Sequence, residues 1–208
     1  MDDLLFSQRQ IKNNFTRGNG IFENLLSNKR AKLADKKIPS ELRSGKILDI
    51  GCGYFPNFLI KTNFNKKYGI DPSYKIKNSF DDIELIQMDI KKEEKLPFND
   101  NFFDVITLLA VYEHIEPTRL NKTLSEILRV LKPGGRFILT TPAPWTDKLL
   151  RFMANLNLVS REEIYEHKDA YSHSRILNSL IKSGFPKKLV KQGYFEMFLN
   201  IWTHAGKQ

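Results

Sequence analysis

The residues best suited to chemistry lie at the ends of short apolar runs in the middle of the chain. Asp49 lies in the first run and is followed by two glycines in Gly51-Cys52-Gly53. Asp71 ends the second run, 20 residues beyond Gly51, and Asp89 follows the third. A glycine loop after a strand lets backbone N–H groups approach a ligand, and a carboxylate at this distance suits ribose hydroxyls. The spacing therefore predicts a nucleoside-bearing ligand above the strand ends.

Three further residues are candidates for acid–base chemistry. Glu113 and His114 follow the fourth apolar run, and histidine titrates near neutrality, so His114 is a candidate general base. The alternative is that the pair starts a helix as structural polar residues. His167 lies in a segment of histidines and tyrosines that could bind a hydroxylated acceptor, and we rank it above His173. The alternative there is an exposed linker whose aromatic residues pack on the core.

The elements that must position these residues alternate between strands and helices, which is typical of a doubly wound parallel sheet. Apolar spacing predicts a helix over Thr118 to Leu131, ended by Lys132-Pro133-Gly134-Gly135. Further helices are predicted over Trp145 to Leu158 and Ser174 to Ser183. The predicted core strands are Lys46 to Ile50, Lys67 to Ile70, Glu84 to Met88, Phe103 to Leu109 and Arg136 to Thr140.

The chain is expected to form a single domain over residues 1–208. Residues 1–45 are predicted to be a helical cover, and residues 46–142 the ligand-binding core. Residues 143–208 are predicted to hold an acceptor-pocket insertion and a C-terminal strand pair. That pair is predicted at Lys188 to Val190 and Tyr194 to Ile201, joined around Gln192-Gly193.

Composition limits the partners and the compartment. A chain of 208 residues with 41% hydrophobic content supports one core, and no apolar run approaches the length of a membrane span. An acidic N-terminus and one cysteine favour a reducing, cytoplasmic location. The net charge of +9 divides into +4 on residues 1–45, +1 on 46–144 and +4 on 145–208, with no long basic block. Nucleic acid and weak contact of the apolar stretch 145–158 with a membrane surface are therefore open but not favoured. A monomer and a homodimer are both open.

Two ligand classes fit the glycine loop, and the carboxylates distinguish them. A dinucleotide places a pyrophosphate over G-x-G-x-x-G, but the last position of that pattern is Pro56, which lacks an N–H. S-adenosylmethionine has no phosphate and carries a cationic sulfur, so it favours carboxylates over glycines. The three aspartates after three strands therefore favour S-adenosylmethionine.

The sequence resembles the class I S-adenosylmethionine-dependent methyltransferases over about residues 45 to 142. The resemblance is carried by Leu48-Asp49-Ile50-Gly51-Cys52-Gly53, Gly69-Ile70-Asp71, Met88-Asp89-Ile90, Leu96-Pro97-Phe98, Phe103-Asp104-Val105-Ile106, Glu113-His114-Ile115 and Leu128 to Gly135. It implies a Rossmann-like, seven-stranded, mostly parallel α/β sheet with an antiparallel last strand and helices on both faces. The sequence departs from the family at Phe55, which replaces the third glycine of G-x-G-x-G.

The resemblance also implies roles for individual residues. Asp49 and the backbone of Gly51, Cys52 and Gly53 would neighbour the methionine part of the cofactor. Asp71 would bind the ribose hydroxyls, with Pro72 fixing its turn. The adenine would contact Asp89 and Ile90, and the sulfonium would lie beside Leu109 and Ala110.

The expected function is methyl transfer from S-adenosylmethionine to a small-molecule acceptor, with S-adenosylhomocysteine as product. We expect O-methylation of a sugar, a glycan precursor or another hydroxylated metabolite. The alternatives are an RNA methyltransferase and a non-catalytic module that binds the cofactor. No metal is expected, because some related methyltransferases bind one through E-x-x-E-H, and here Ala110 occupies the first acidic position.

Overall fold

The fold is built on one seven-stranded sheet, in a computed structural model that describes residues 23–73, 80, 82–156, 158–159, 164–165 and 168–208. The strands lie in the order β3-β2-β1-β4-β5-β7-β6. Neighbours from β3 to β5 pair in parallel, and β7 runs antiparallel to β5 and to β6. The predicted doubly wound sheet with an antiparallel last strand is confirmed.

The bounds of the elements are as follows. The strands are β1 Lys46–Ile50, β2 Lys66–Asp71, β3 Ile83–Gln87, β4 Phe103–Leu109, β5 Leu131–Pro142, β6 Val190–Phe195 and β7 Asn200–Gly206. The α-helices are α1 Glu23–Lys36, α2 Asn57–Lys61, α3 Pro117–Val130, α4 Asp147–Asn155 and α5 His173–Lys182. Short 3-10 helices cover Ser40–Leu42, Tyr112–His114, Pro144–Thr146 and Lys187–Leu189.

The pleat of the sheet divides the core into two layers. Successive strand residues face opposite sides, so Leu48, Ile106 and Leu139 pack in one layer with α3 and α5. Ile47 and Ile138 pack in the other layer, which holds Ala31 and Ala34 of α1 together with Phe58 and Leu59 of α2. Helices therefore cover both faces, and each central strand is buried on both sides.

Most predicted elements agree with the structure to within one or two residues, and the main differences are at the ends of β5 and α4. The strand β5 begins at Leu131, and Lys132-Pro133-Gly134-Gly135 forms a bulge within it instead of a loop before it. The Lys132 ammonium lies 2.8 Å from Oδ2 of Asp104 and supports this bulge. The predicted helix over 145–158 is a 3-10 turn followed by α4, which ends at Asn155. Residues 1–22 of the predicted N-terminal cover lie outside the described residues.

The C-terminal strand pair was predicted at the wrong residues, because β6 runs over Val190–Phe195 and β7 over Asn200–Gly206. The connection lies at residues 196–199, not at Gln192-Gly193, and Gly193 pairs with Trp202 inside the hairpin. A Cβ on Gly193 would lie 2.8 Å from three atoms of the Trp202 indole, so this glycine makes room for a ring and does not mark a turn. The actual turn uses Glu196, Met197 and Phe198, which carry positive φ angles without being glycine. Neither feature has a signal in a single sequence.

The packing of Trp202 on Gly193 predicts the effect of one methyl group. Gly193→Ala should lower the free energy of unfolding by about 1–3 kcal/mol, because the rigid indole has to move. The matched control is Lys191→Ala, an exposed position on the same strand, which should change stability by less than about 0.5 kcal/mol. Urea denaturation followed by tryptophan fluorescence measures both. Equal stability of Gly193→Ala and the parent would contradict the contact.

Candidate functional site

A cavity of about 210 Å³ opens at the carboxyl ends of the first strands. All ten residues predicted to bind the cofactor line it, and they come from four separate stretches of chain. Because the carboxyl ends of parallel strands meet at one edge of a sheet, residues far apart in sequence lie together here. Those ten residues are Asp49, Gly51, Cys52, Gly53, Asp71, Pro72, Asp89, Ile90, Leu109 and Ala110.

The loop after β1 depends on two glycines with positive φ. Gly51 has φ 81° and Gly53 φ 75°, a region that disfavours other residues. Space is a second constraint at Gly51, since a Cβ there would lie 2.3 Å from Cγ2 of Val111. Nothing lies within 3.8 Å of a Cβ built on Gly53, so this glycine leaves open room on the cavity side. The loop thus needs both of its glycines despite lacking a third.

Asp71 joins the tip of β2 to this loop. The side chain is buried, and its Oδ2 accepts a hydrogen bond from the Gly53 N–H at 2.9 Å. Its Oδ1 accepts the Ser73 N–H at 2.8 Å and also the Ser73 hydroxyl. These hydrogen bonds orient the Asp71 carboxylate at the cavity wall.

Asp49 is a buried carboxyl on the cavity wall. It lies opposite Thr107 in the register of β1 and β4, and the Thr107 hydroxyl donates to its Oδ1 at 2.6 Å. Burial raises the pKa of Asp49 to about 7, the Thr107 hydrogen bond opposes this, and the nearby charge of Asp71 adds to the rise. The charge of Asp49 therefore changes near neutral pH.

The ends of β3 and β4 supply the remaining wall. Asp89 accepts the Lys91 N–H at 3.0 Å through Oδ1, and Ile90 is buried beside it. Ala110 follows β4 with φ 56°, and its N–H donates to the carbonyl oxygen of Thr140 at 3.0 Å. A non-glycine residue held in this region at a cavity is a mark of functional sites.

Several lining residues were not anticipated from the sequence. Ser27, Arg30 and Ala31 of α1 close the cavity on the side of Asp49. The sequence predicted a helical cover, but no spacing or residue type in it indicated which face would meet the ligand. Phe55, the departure from the family pattern, lines the cavity and packs edge to face on Phe80, with 5.8 Å between ring centroids.

The two neighbouring acid–base candidates face different cavities. His114 lines the large cavity beside Ala110. Glu113 is buried and lines a second cavity of about 150 Å³, together with Pro142, Ala143, Leu150, Arg151, Lys168, Asp169 and Ala170. Both residues belong to the 3-10 turn Tyr112–His114, which therefore stands between the two cavities. The third candidate, His167, lies outside the described residues.

The aromatic residues of the predicted acceptor segment do not gather around a pocket. Tyr171 is buried in the core against Tyr112, with 4.6 Å between ring centroids. His173 packs on Tyr194 of β6 at 4.5 Å, while Trp145 and Tyr165 are exposed. For Tyr171 the structure agrees with the alternative prediction, in which the aromatic residues of this segment pack on the core, because hydrophobic burial decides the position of its ring.

The described residues suit the implied cofactor and offer no cluster of metal ligands. In the described residues, no group of three or more His, Cys, Asp or Glu side chains could hold a metal ion. Three carboxylates and an open glycine loop do line the large cavity, together with the cations Arg30 and Lys91. Carboxylates accept hydrogen bonds from ribose hydroxyls and attract cationic groups, so the residues present fit S-adenosylmethionine.

The raised pKa of Asp49 predicts a pH dependence of stability. The folded chain holds this proton up to about pH 7, whereas the ordinary pKa of an Asp carboxyl in water is 3.8. Its contribution to the free energy of unfolding is thus complete below about pH 4 and lost as the pH rises to about 7. Asp49→Asn lacks this titration, so its stability relative to the parent should rise by about 1.4 kcal/mol per pH unit across the window.

Urea titrations at several pH values measure this difference. The control is Asp100→Asn, an exposed carboxylate whose side chain is 71% accessible beside Arg129, and it should follow the parent curve more closely. Parallel curves for Asp49→Asn and the parent would show that Asp49 ionises normally in the folded chain.

Sequence comparison adds evidence independent of this geometry. Residues 48–139 match the methyltransferase domain family. The chain is 39% identical over 69 residues to demethylmenaquinone methyltransferase of Symbiobacterium thermophilum, covering 33% of this chain and 27% of that protein. It is 40% identical over 68 residues to a ubiquinone/menaquinone biosynthesis C-methyltransferase of Pseudomonas putida, covering 33% and 25%. The alignments span about a quarter of the length of these curated relatives.

Structural comparison extends the likeness to nearly the whole chain. An S-adenosylmethionine-dependent methyltransferase from Archaeoglobus fulgidus superposes with a TM-score of 0.67, at 18% identity, over 88% of this chain and 94% of that one. At this identity the likeness concerns the fold alone, whereas the sequence match covers the strands and loops that build the large cavity. Residues 48–139 are thus similar in sequence to the methyltransferase domain family, and most of the chain has the fold of the S-adenosylmethionine-dependent methyltransferase named above.

Proposed function

We propose that this chain catalyses methyl transfer from S-adenosylmethionine to a hydroxylated small molecule. The observation that carries the proposal is the gathering of Asp49, Asp71 and Asp89 with the glycine loop around one cavity that also reaches His114. The cofactor supplies an electrophilic methyl group on a sulfonium. What the protein has to provide is binding, alignment and the removal of a proton from the acceptor.

Each group of cavity residues would hold one part of the cofactor. The oriented carboxylate of Asp71 would accept the ribose hydroxyls, and Asp89 with the buried Ile90 would bind the adenine. Asp49 and the open side of Gly53 would accommodate the methionine end. Leu109 and Ala110 would then lie nearest the reacting carbon. These assignments rest on positions in the cavity and on the resemblance to the family.

His114 is the proposed general base. It lines the cavity next to Ala110, where an acceptor hydroxyl would approach the methyl group. The second cavity, on the other side of the 3-10 turn, is the proposed acceptor site, with Leu150 as an apolar wall and Arg151 and Lys168 as cations. The Lys168 N–H donates to the carbonyl oxygen of Glu113 at 2.9 Å, so the turn and this cavity are fixed to each other. Glu113 would hold the acceptor or position His114.

The relatives favour a ring acceptor over a sugar. Those named above act on quinone precursors by name, and one is a C-methyltransferase. Removing a proton from a ring hydroxyl makes both the oxygen and the adjacent ring carbons nucleophilic, so one base serves O- and C-methylation. A hydroxylated aromatic ring is therefore the proposed acceptor class. O-methylation of a sugar or a glycan precursor, and an RNA acceptor, stay predictions from the sequence.

Two measurements test the activity as a whole. Calorimetry should detect S-adenosylmethionine binding, and an acceptor screen should detect S-adenosylhomocysteine release with hydroquinones and catechols. Binding without release for hydroquinones, catechols, sugars and RNA would favour the non-catalytic module. Tight NAD binding in place of S-adenosylmethionine binding would contradict the proposal.

The ribose assignment predicts the effect of changing Asp71. Asp71→Ala should weaken S-adenosylmethionine binding by about 1–3 kcal/mol, because ribose hydroxyls lose their acceptor and the Gly53 N–H loses its partner. Ser73→Ala removes one support of the carboxylate but leaves it in place, and should cost less. Glu94→Gln is the control, since this side chain is 75% accessible and pairs with Lys122 at the surface. Unchanged affinity in Asp71→Ala would refute the assignment.

The assignment of His114 as the base predicts that its replacement slows turnover but hardly changes S-adenosylmethionine binding. His114→Gln should lower kcat by about 10²- to 10⁴-fold and leave S-adenosylmethionine affinity within about threefold, since a base acts on the acceptor. His204→Gln is the matched control, because His204 stacks on Trp202 in β7 and does not line either cavity. Full activity of His114→Gln at all pH values would eliminate His114 as the base.

A further inference from the structure

Helix α4 is apolar on two sides. Its inner side packs Leu150, Met153 and Ala154 into a small cluster with Val159, Ile164 and Leu26 of α1. The outer side presents Leu149, Phe152 and Leu156, spaced three and four residues apart, and Phe152 is 61% exposed. A surface helix normally places polar residues on the side away from the core. In the described part of the chain, this apolar side of α4 is exposed to solvent.

The tip of the β6–β7 hairpin is exposed in the same manner. Met197 is 85% and Phe198 65% exposed. Glu196, Met197 and Phe198 have φ angles of 51°, 53° and 68°, so three consecutive non-glycine residues adopt a disfavoured conformation. Strain of this kind is found mostly where function requires it. Here it projects two large apolar side chains into solvent.

Both features lie at the edge of the sheet that carries the cavities. Asn200 pairs with Pro142 at the carboxyl end of β5, and the Ala143 N–H donates to the carbonyl oxygen of Leu199 at 2.9 Å. Helix α4 begins four residues after Ala143 and also contributes Leu150 and Arg151 to the second cavity. We name the five outward residues the apolar rim: Leu149, Phe152, Leu156, Met197 and Phe198.

Positive charge accompanies the apolar rim. Lys29 and Arg30 of α1 interact electrostatically with the half-buried Glu196 at the hairpin tip, and Lys29 is exposed. Arg151 lies on α4 and Lys168 at the second cavity. Cations beside exposed apolar side chains are the pattern of proteins that bind anionic membrane surfaces.

We propose that the apolar rim docks this protein on the surface of an anionic lipid bilayer. Met197, Phe198 and the outer side of α4 enter the interface, and the neighbouring cations contact lipid phosphates. If the proposed function holds, the second cavity then faces the bilayer, and the acceptor is an apolar molecule taken from the membrane. No helix in the described ranges could span a membrane, so contact is with the surface only.

Vesicle co-sedimentation tests the docking directly. The full chain should bind phosphatidylcholine vesicles that contain phosphatidylglycerol, and bind pure phosphatidylcholine at least about tenfold less tightly, with binding weakened by salt. The double variant Phe152→Ser, Met197→Ser should lose about tenfold or more in affinity, since two large apolar side chains leave the interface. Ile181→Ser is the matched control, an apolar residue of α5 that is 40% exposed, and it should bind like the parent.

Three outcomes would overturn the proposal. They are the absence of binding of the parent to phosphatidylglycerol vesicles at low salt, equal binding of the parent and the double variant, and equal binding to both vesicle types. Sedimentation equilibrium adds a fourth, in which the parent is a dimer, the double variant is a monomer and neither binds vesicles. The rim would then be a contact between copies of the chain.

The vesicle measurements and the cofactor measurements test the membrane docking and the proposed enzymatic function separately. Thermal melting and S-adenosylmethionine calorimetry on the double variant establish that its fold and cofactor binding match the parent. Vesicle binding without S-adenosylmethionine binding would support the rim and refute the methyltransferase proposal. S-adenosylmethionine binding and S-adenosylhomocysteine release without vesicle binding would do the reverse.

Discussion

The hydrogen bond from the Gly53 N–H to Asp71 is the contact on which the site depends. It joins the loop after β1 to the tip of β2, with 2.9 Å between the Gly53 nitrogen and Oδ2 of Asp71. The loop reaches this position with positive φ angles at Gly51 and Gly53. The same loop packs closely against the turn after β4, because a Cβ on Gly51 would lie 2.3 Å from Cγ2 of Val111. Three distant stretches of chain are thus held together by one short loop. These three stretches enclose the large cavity.

The pleat of the sheet then decides what faces that cavity. Asp49 and Thr107 lie opposite each other in the register and on the side covered by α1 and α2. A shift of one residue would turn Asp49 toward the layer of Leu48 and Ile106 and bury a carboxyl in an apolar core. Phe55, two residues before the short α2, occupies the position where the family pattern has a third glycine. Loop closure in this chain therefore relies on aromatic packing against Phe80 as well as on glycine.

Much of the fold was predictable, because the parallel strands are buried on both faces and read as apolar runs. The cofactor-side residues were predictable for a related reason. Asp49 and Asp71 lie at the carboxyl ends of strands and Asp89 just beyond one, so strand prediction alone places all three at one edge. Features that depend on side-chain packing between distant residues were not predictable. Gly193 has the appearance of a turn residue but accommodates Trp202, and the true turn at Glu196 to Phe198 contains no glycine or proline. The contribution of Ser27 and Arg30 depends on how α1 is rotated, which its weak apolar pattern does not fix.

The carboxyl groups of the large cavity discriminate between possible ligands better than its glycines do. The Asp49 carboxyl, with its pKa raised to about 7, is near the midpoint of ionisation at neutral pH. A cation placed nearby stabilises the ionised form and lowers this pKa, so binding of a cationic ligand is linked to loss of the proton. A pyrophosphate at the same place would have the opposite effect. The Asp49 carboxyl behind the glycine loop therefore favours a ligand that places a sulfonium or an ammonium group beside it over one that places a phosphate there, whatever residue occupies the third glycine position.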